Sequence, residues 1–147
     1  MIKKLPYKIF LQTFKYVPRL AVSLVVVNKE GEVLWAQRSI PPLKGYWHLP
    51  GSFVLKGESL ESCVKRIVKN ELNFILPKKQ FKLIGVFNDI GNDPRGHVVD
   101  VVYEIPVDKD FKILRSRENK VLNFYKHLPK KVGFKHNLIV KSYYYQL

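Results

Sequence analysis

Two glutamates and an arginine stand at fixed spacing near the middle of the chain, behind a proline and a glycine. The stretch reads Leu49-Pro50-Gly51-Ser52-Phe53-Val54-Leu55-Lys56-Gly57-Glu58, then seven residues to Arg66 and four more to Glu71. A glycine beside a strand lets the backbone approach a phosphate closely and leaves a carbonyl to face a metal ion. Glu58 falls at the start of a predicted helix, where the helix dipole favours a negative charge. Eight residues separate it from Arg66, about two helical turns, so the two can pair only if Glu58 sits in a loop folded back toward the helix. Glu71 falls on the last turn, one residue round from the apolar stripe. From there a carboxylate could face the loop carbonyls as an oxygen ligand for a hard cation.

Something must hold these groups in place. Apolar residues at Leu60, Cys63, Val64, Ile67, Val68 and Leu72 follow a helical period and predict a helix over 59–72. A short strand at 53–55 and the turn Lys56-Gly57 lead into it. Upstream, 20–27 is a strand rich in β-branched residues, turned by Asn28-Lys29-Glu30-Gly31 into a hairpin partner at 32–38. Residues 39–47, with Pro41-Pro42 and Lys44-Gly45, read as a loop. Strands are expected at 81–88 and 97–105, joined by the Gly/Asp/Pro-rich loop 89–96, and further at 112–114 and 120–124. Helices are expected at 9–16, closed by Pro18, and at 135–145. Strand alternation mixed with helices makes the class α+β or α/β with a mixed sheet. Residues 1–147 read as one domain, with 1–19 a helical N-terminal extension.

Residues 51–74 resemble a reduced form of the box of the Nudix family: a glycine, five residues, Glu, seven residues, Arg-Glu, an aliphatic, any residue, Glu-Glu, any residue, Gly and an aliphatic. The first glycine falls on Ser52; Glu58 and Arg66 match, and the aliphatic positions are Val68 and Phe74. The first two helix glutamates fall on Ile67 and Asn70, the third is kept as Glu71, and the late glycine is Asn73. GDP-mannose mannosyl hydrolases, relatives within that family, also lack the first two helix glutamates. Their upstream pattern is similar to Arg38, Pro41-Pro42, Gly45-Tyr46-Trp47 and Pro50-Gly51 here.

The resemblance implies an α/β/α sandwich, a central mixed sheet flanked by helices, and metal-dependent hydrolysis of a nucleoside diphosphate linked to another moiety, such as a nucleotide sugar. It implies Mg²⁺ or Mn²⁺ held by Gly51, Glu71 and Glu118. The late-loop histidine that serves those relatives as base is Asn119 here, and asparagine takes no proton at neutral pH. The base then falls to Glu118 or another local group, with Asp89, His97 and His48 as candidates. Arg66 would orient the loop through Glu58, and Arg38 would contact phosphate by bidentate hydrogen bonding. Trp47 is a substrate-side aromatic or a core or rim residue, and His97 a substrate contact or a strand residue. Other positions that touch substrate in those relatives carry Ser23, Phe53 and Val98 here, in place of Asp, Arg and Tyr.

Composition narrows the partners. Lysine and arginine number 26 against 12 acidic residues, a net charge of +14 that attracts nucleotides, phosphorylated metabolites or RNA. The lysines are spread along the chain, which makes RNA contact through a basic surface secondary to a small-molecule diphosphate. No run of eighteen apolar residues occurs, so a membrane span is not expected. The N-terminus lacks the apolar core of a secretory signal, and the single cysteine, Cys63, suits a reducing compartment and a buried place on the helix; the expected location is cytoplasmic. The segment 9–17 resembles the dimer-forming region of the mannosyl hydrolases and implies a homodimer. The alternative is a non-catalytic nucleotide- or RNA-binding module on the same scaffold, favoured by Ile67, Asn70 and Asn119.

Overall fold

A computed structural model describes residues 3–73, 80–108 and 119–146. Helix α1 (Tyr7–Thr13) starts after Pro6 and leads through a turn into the first strand. The strands are β1 (Arg19–Val27), β2 (Val33–Arg38), β3 (Trp47–His48), β4 (Gly51–Phe53), β5 (Lys82–Phe87), β6 (Val98–Pro106) and β7 (Asn119–Tyr125). Helix α2 (Leu60–Ile67) runs on into a π turn (Val68–Leu72), and α3 (His136–Tyr145) follows the last strand. The expected strand at 112–114 and the expected ligand Glu118 lie outside the described residues.

All seven strands join one mixed sheet. The nine β-branched or apolar-rich residues of β1 pair in parallel with β6 from Arg19↔Val98 to Val27↔Pro106, and β5 pairs antiparallel on the far side of β6. The other edge of β1 is divided. Its end meets β2 at Val27↔Val33, while Ala21, Val22 and Ser23 pair antiparallel with Phe53, Ser52 and Gly51 of β4. Strand β2 is divided in the same way: β7 takes one edge from Val33 to Arg38, so β3 must pair with Ala36 and Gln37 on the edge that faces β1. The hairpin strands β1 and β2 therefore splay apart beyond Val27, and the segment from Trp47 to Phe53 wedges between them.

The wedge was not foreseen as two strands. A two-residue strand such as β3 shows no alternation to read, and it is fixed by partners on a distant strand. It carries the glycine of the box into the middle of the sheet.

Each face of the sheet is covered by one helix. Val22, Leu24 and Val26 point to the face where Cys63, Val64, Ile67, Val68 and Leu72 pack. Val25 of β1 and Val102 of β6 point to the opposite face, against Ile139, Val140 and Tyr143 of α3. This is the α+β architecture, a mixed sheet between helices, that the sequence predicted. Ser59 caps α2, its Oγ accepting from Ser62 N–H at 3.1 Å. The predicted helix over 59–72 is α-helical only to Ile67. It then widens into the π turn and ends at Asn73, whose φ of 52° is left-handed. The family's box places glycine there, and asparagine is one of the few other residues that takes this conformation.

Candidate functional site

Glu58 stands two residues before α2, in the loop, and folds back onto the helix as the spacing required. Arg66 Nε donates to Glu58 Oε1 at 2.7 Å and Nη2 to Oε2 at 3.0 Å, a two-pronged pair. Arg66 Nη1 also donates to Ser52 Oγ at 3.1 Å and Nη2 to the Phe53 carbonyl at 3.0 Å. Glu58 Oε2 in turn accepts from Leu55 N–H at 3.0 Å. The Arg66 hydrogen bond holds the Glu58 carboxyl below the usual carboxylate range, and the same bond raises Arg66. The pair ties the 52–58 loop to the helix. Cys63 beneath it is fully buried, and desolvation pushes its thiol up to about 12, so it is no nucleophile.

Gly51 is required by space. A Cβ there would lie 2.6 Å from the Val22 carbonyl oxygen and 3.1 Å from Ser23 Oγ. Leu24 N–H donates to the Pro50 carbonyl at 2.8 Å and Val54 N–H to the Leu20 carbonyl at 2.9 Å. In an antiparallel ladder, bonded and non-bonded positions alternate. Gly51 and Phe53 therefore turn their carbonyls away from β1, and the Phe53 carbonyl is indeed the one that Arg66 takes. The Gly51 carbonyl faces the same way, off the β1 ladder, which suits an oxygen ligand.

The three helix positions where the box carries glutamate fare differently from one another. Ile67 is a core residue, 1 % exposed, Asn70 is exposed, and Glu71 is half-buried on the π turn. Among the described residues no three His, Cys, Asp or Glu side chains gather as a metal site. Two oxygen donors, the Gly51 carbonyl and the Glu71 carboxylate, remain from the expected set.

A cavity of about 550 Å³ opens beside the wedge, within the range of small-molecule sites. Gly51, Ser52 and Phe53 form part of its wall, with Arg38, Ser23 and Asp100 among the other lining residues. Arg38 is buried and donates from Nε to the Pro42 carbonyl at 2.6 Å and from Nη2 to the Pro41 carbonyl at 3.2 Å. Its guanidinium lies 5.2 Å from the centroid of the Phe134 ring. Arg95 pairs with the buried Asp93 at 2.7 Å and sits among the rings of Phe10, Phe14, Phe53 and Phe134, 5.2 to 6.0 Å from their centroids. Helix α1 is thereby fastened over the wedge, Phe10 and Phe14 meeting Phe53 edge-on.

On the α3 face a polar cluster lines the same cavity. Ser23 Oγ donates to Asp100 Oδ2 at 2.7 Å. His136 Nδ1 accepts from Leu49 N–H at 2.9 Å, which leaves its ring proton on Nε2, 3.4 Å from Asp100 Oδ2. His48 Nδ1 donates to the Leu49 carbonyl at 2.7 Å. Sequence reasoning passed over Asp100 and His136. The available signal was a lone carboxylate inside the run Val98-Val99-Asp100-Val101-Val102.

Of the residues the sequence singled out, Arg38, His48 and Gly51 line the cavity together with Ser23, Phe53 and Val98. Arg66 stands behind that wall, bonded to Ser52 and Phe53. Trp47 does not line it: the ring packs edge-on against Tyr125 at 5.2 Å, at the margin of the core under α3. His97, outside the cavity lining, bonds the Asn88 side chain through Nε2. Asp89 is half-buried in the turn after β5, also away from the lining, and its carbonyl accepts from Asn92 N–H.

The chain is similar to known proteins. An ADP-ribose pyrophosphatase of Methanocaldococcus jannaschii is 35% identical over 120 residues, covering 80% of this chain and 69% of that protein. The low-salt glycan biosynthesis protein Agl8 of Haloferax volcanii is 29% identical over 100 residues, covering 64% of this chain and 62% of its own. The NUDIX domain of Shewanella oneidensis NrtR, solved with ADP ribose, superposes with a TM-score of 0.75 at 20% identity, covering 97% of this chain and 99% of that one. The family model of the NUDIX domain matches residues 17–131, so the wedge, the Glu58–Arg66 pair and the helix behind them are those of a member of the Nudix hydrolase family.

Proposed function

We propose that this chain hydrolyses a nucleoside diphosphate joined to a second group, with a divalent cation, and that ADP-ribose is the first substrate to try. The observation that carries the reading is the placement of Gly51, held by the intact Glu58–Arg66 pair, in the wall of a substrate-sized cavity beside Arg38. Similarity to an ADP-ribose pyrophosphatase supports the choice of probe. Similarity to a glycan biosynthesis protein keeps nucleotide sugars in the panel.

The donors that remain suit a hard ion. The Gly51 carbonyl is turned off the β1 ladder and Glu71 supplies a carboxylate; Glu118, the third expected ligand, lies outside the described residues. All three are oxygen ligands, as Mg²⁺ and Mn²⁺ prefer. Such an ion would neutralise charge on the diphosphate and polarise a phosphoryl oxygen. The chain itself does the positioning. Arg66 fixes the loop through Glu58, Arg38 brings a cation to the cavity wall, and Glu118 would take the proton from water. Hydrolysis of ADP-ribose at its diphosphate adds one water and yields AMP and ribose 5-phosphate.

The test is turnover by the purified chain of ADP-ribose, GDP-mannose, UDP-glucose and the nucleoside triphosphates, with Mg²⁺ or Mn²⁺. Metal-dependent release of a nucleoside monophosphate from at least one diphosphate-linked member, abolished by EDTA, is expected. No turnover of any member with either ion would overturn the reading and leave a binding module in its place.

A further inference from the structure

We infer that Arg95 contacts the base of the substrate nucleotide, donating from the open edge of its guanidinium to a ring nitrogen or carbonyl; this rests on the cavity being the substrate site proposed above. Arg95 stands in the loop between β5 and β6 and lines the cavity. Its Nε donates to Asp93 Oδ1 at 3.0 Å and its Nη2 to Asp93 Oδ2 at 2.7 Å, while its backbone N–H donates to Oδ1 at 2.9 Å. That two-pronged grip takes one edge of the guanidinium and fixes its plane. Nη1 lies on the other edge. Among the described residues it has no hydrogen-bond partner, and it is not closed off from solvent. The Arg95 side chain keeps 18 % of its surface exposed against 5 % for Asp93, so the open edge is the part that a ligand in the cavity can reach.

Two features of the surroundings select a base over a phosphate. Phosphate is drawn by net positive charge, and the Asp93 carboxylate offsets that of Arg95 and repels phosphate oxygens. What remains is a set of N–H donors with little net charge. The rings of Phe10, Phe53 and Phe134 lie 5.9, 5.2 and 5.8 Å from the guanidinium carbon, and all three half-buried rings line the cavity themselves. A donor edge bordered by aromatic surface matches a flat heterocycle, which offers π faces to the rings and acceptors in its plane to the arginine. Every common base carries such an acceptor, so the contact recognises a base without choosing which.

Calorimetric titration in Mg²⁺ buffer tests this, with the tightest binding of ADP, GDP, CDP and UDP and with ribose 5-diphosphate as the base-free ligand. Arg95→Lys keeps a cation beside Asp93 but loses the planar fork. It should weaken the nucleotide by about tenfold or more, the worth of a hydrogen bond to a charged group. Ribose 5-diphosphate should bind the variant and wild type alike. Thermal melts report folding, and Asp93→Asn/Arg95→Met, which leaves no buried charge unpaired, carries the test should Arg95→Lys not fold. An equal loss toward both ligands would mark a phosphate contact or a general disturbance of the cavity and overturn the inference. Unchanged nucleotide affinity, or no binding of any of the four nucleotides by wild type, would overturn it as well. Absent hydrolysis with this binding pattern intact sinks the catalytic reading alone, whereas hydrolysis without the pattern sinks the inference alone.

Discussion

The two faces of the sheet treat charge in opposite ways. On the α2 face the box keeps its framework, Glu58 locked to Arg66, yet two of its three helix carboxylate positions hold Ile67 and Asn70. On the α3 face, where the box has no say, Ser23, Asp100 and His136 gather around one carboxylate at the cavity wall. The first region is a scaffold that sets where the backbone of Gly51 lies. The second gathers polar groups at the cavity wall, where His136 also takes the Leu49 N–H. The backbone of Gly51, set from one face, and the polar cluster on the other thus line one cavity.

The sharpest way to break this contrast is to remove the framework. Arg66→Leu should cost about 3 kcal/mol of stability, because it strands the nearly buried Glu58 carboxylate without its partner. Urea denaturation measures that loss. Activity should fall with it, since Gly51 is no longer held; unchanged stability would mean the pair is only a surface contact. Gly51→Ala should follow, at about 2 kcal/mol, as the added methyl drives into the Val22 carbonyl and pushes β4 off β1. Melting temperature reads this, and a wild-type value would show that the wedge can shift freely.

Acid should produce a smaller effect on the same pair. The folded carboxyl of Glu58 lies below the usual range through its bond to Arg66. A depressed folded value contributes stability above the unfolded pKa of about 4.3 and loses it as pH falls through the folded value. Wild type should therefore lose melting temperature below pH 4 more steeply than Glu58→Gln, which starts lower at pH 7. Parallel curves would remove Glu58 from the account.

Much of the scaffold was legible because it follows local rules. The pairing of Glu58 with Arg66 needed only their spacing and the helix that Leu60, Cys63, Val64 and Ile67 announce. The strand β1 is written in its β-branched residues, and the burial of Cys63 in its place on the apolar stripe. The polar cluster was not legible, for a physical reason. Ser23 and Asp100 are 77 residues apart and meet only because β1 and β6 pair in parallel, bringing Ser23 opposite Val102. His136 joins them from the start of a third element. Each is an ordinary residue alone. Trp47 stood out by type and turned out to pack on Tyr125, because an aromatic in a short strand serves the core beneath it as readily as a ligand.

The central claim, that a single helix glutamate of the box still serves a metal-dependent hydrolase, is tested most directly by titrating Mg²⁺ during ADP-ribose turnover by wild type and Glu71→Gln. Half-buried and at the end of the helix, Glu71 should be replaceable without loss of the fold. The account predicts that the variant keeps its melting temperature but needs at least tenfold more Mg²⁺ for half-maximal rate, or loses turnover altogether. Identical Mg²⁺ dependence in the two proteins would contradict it.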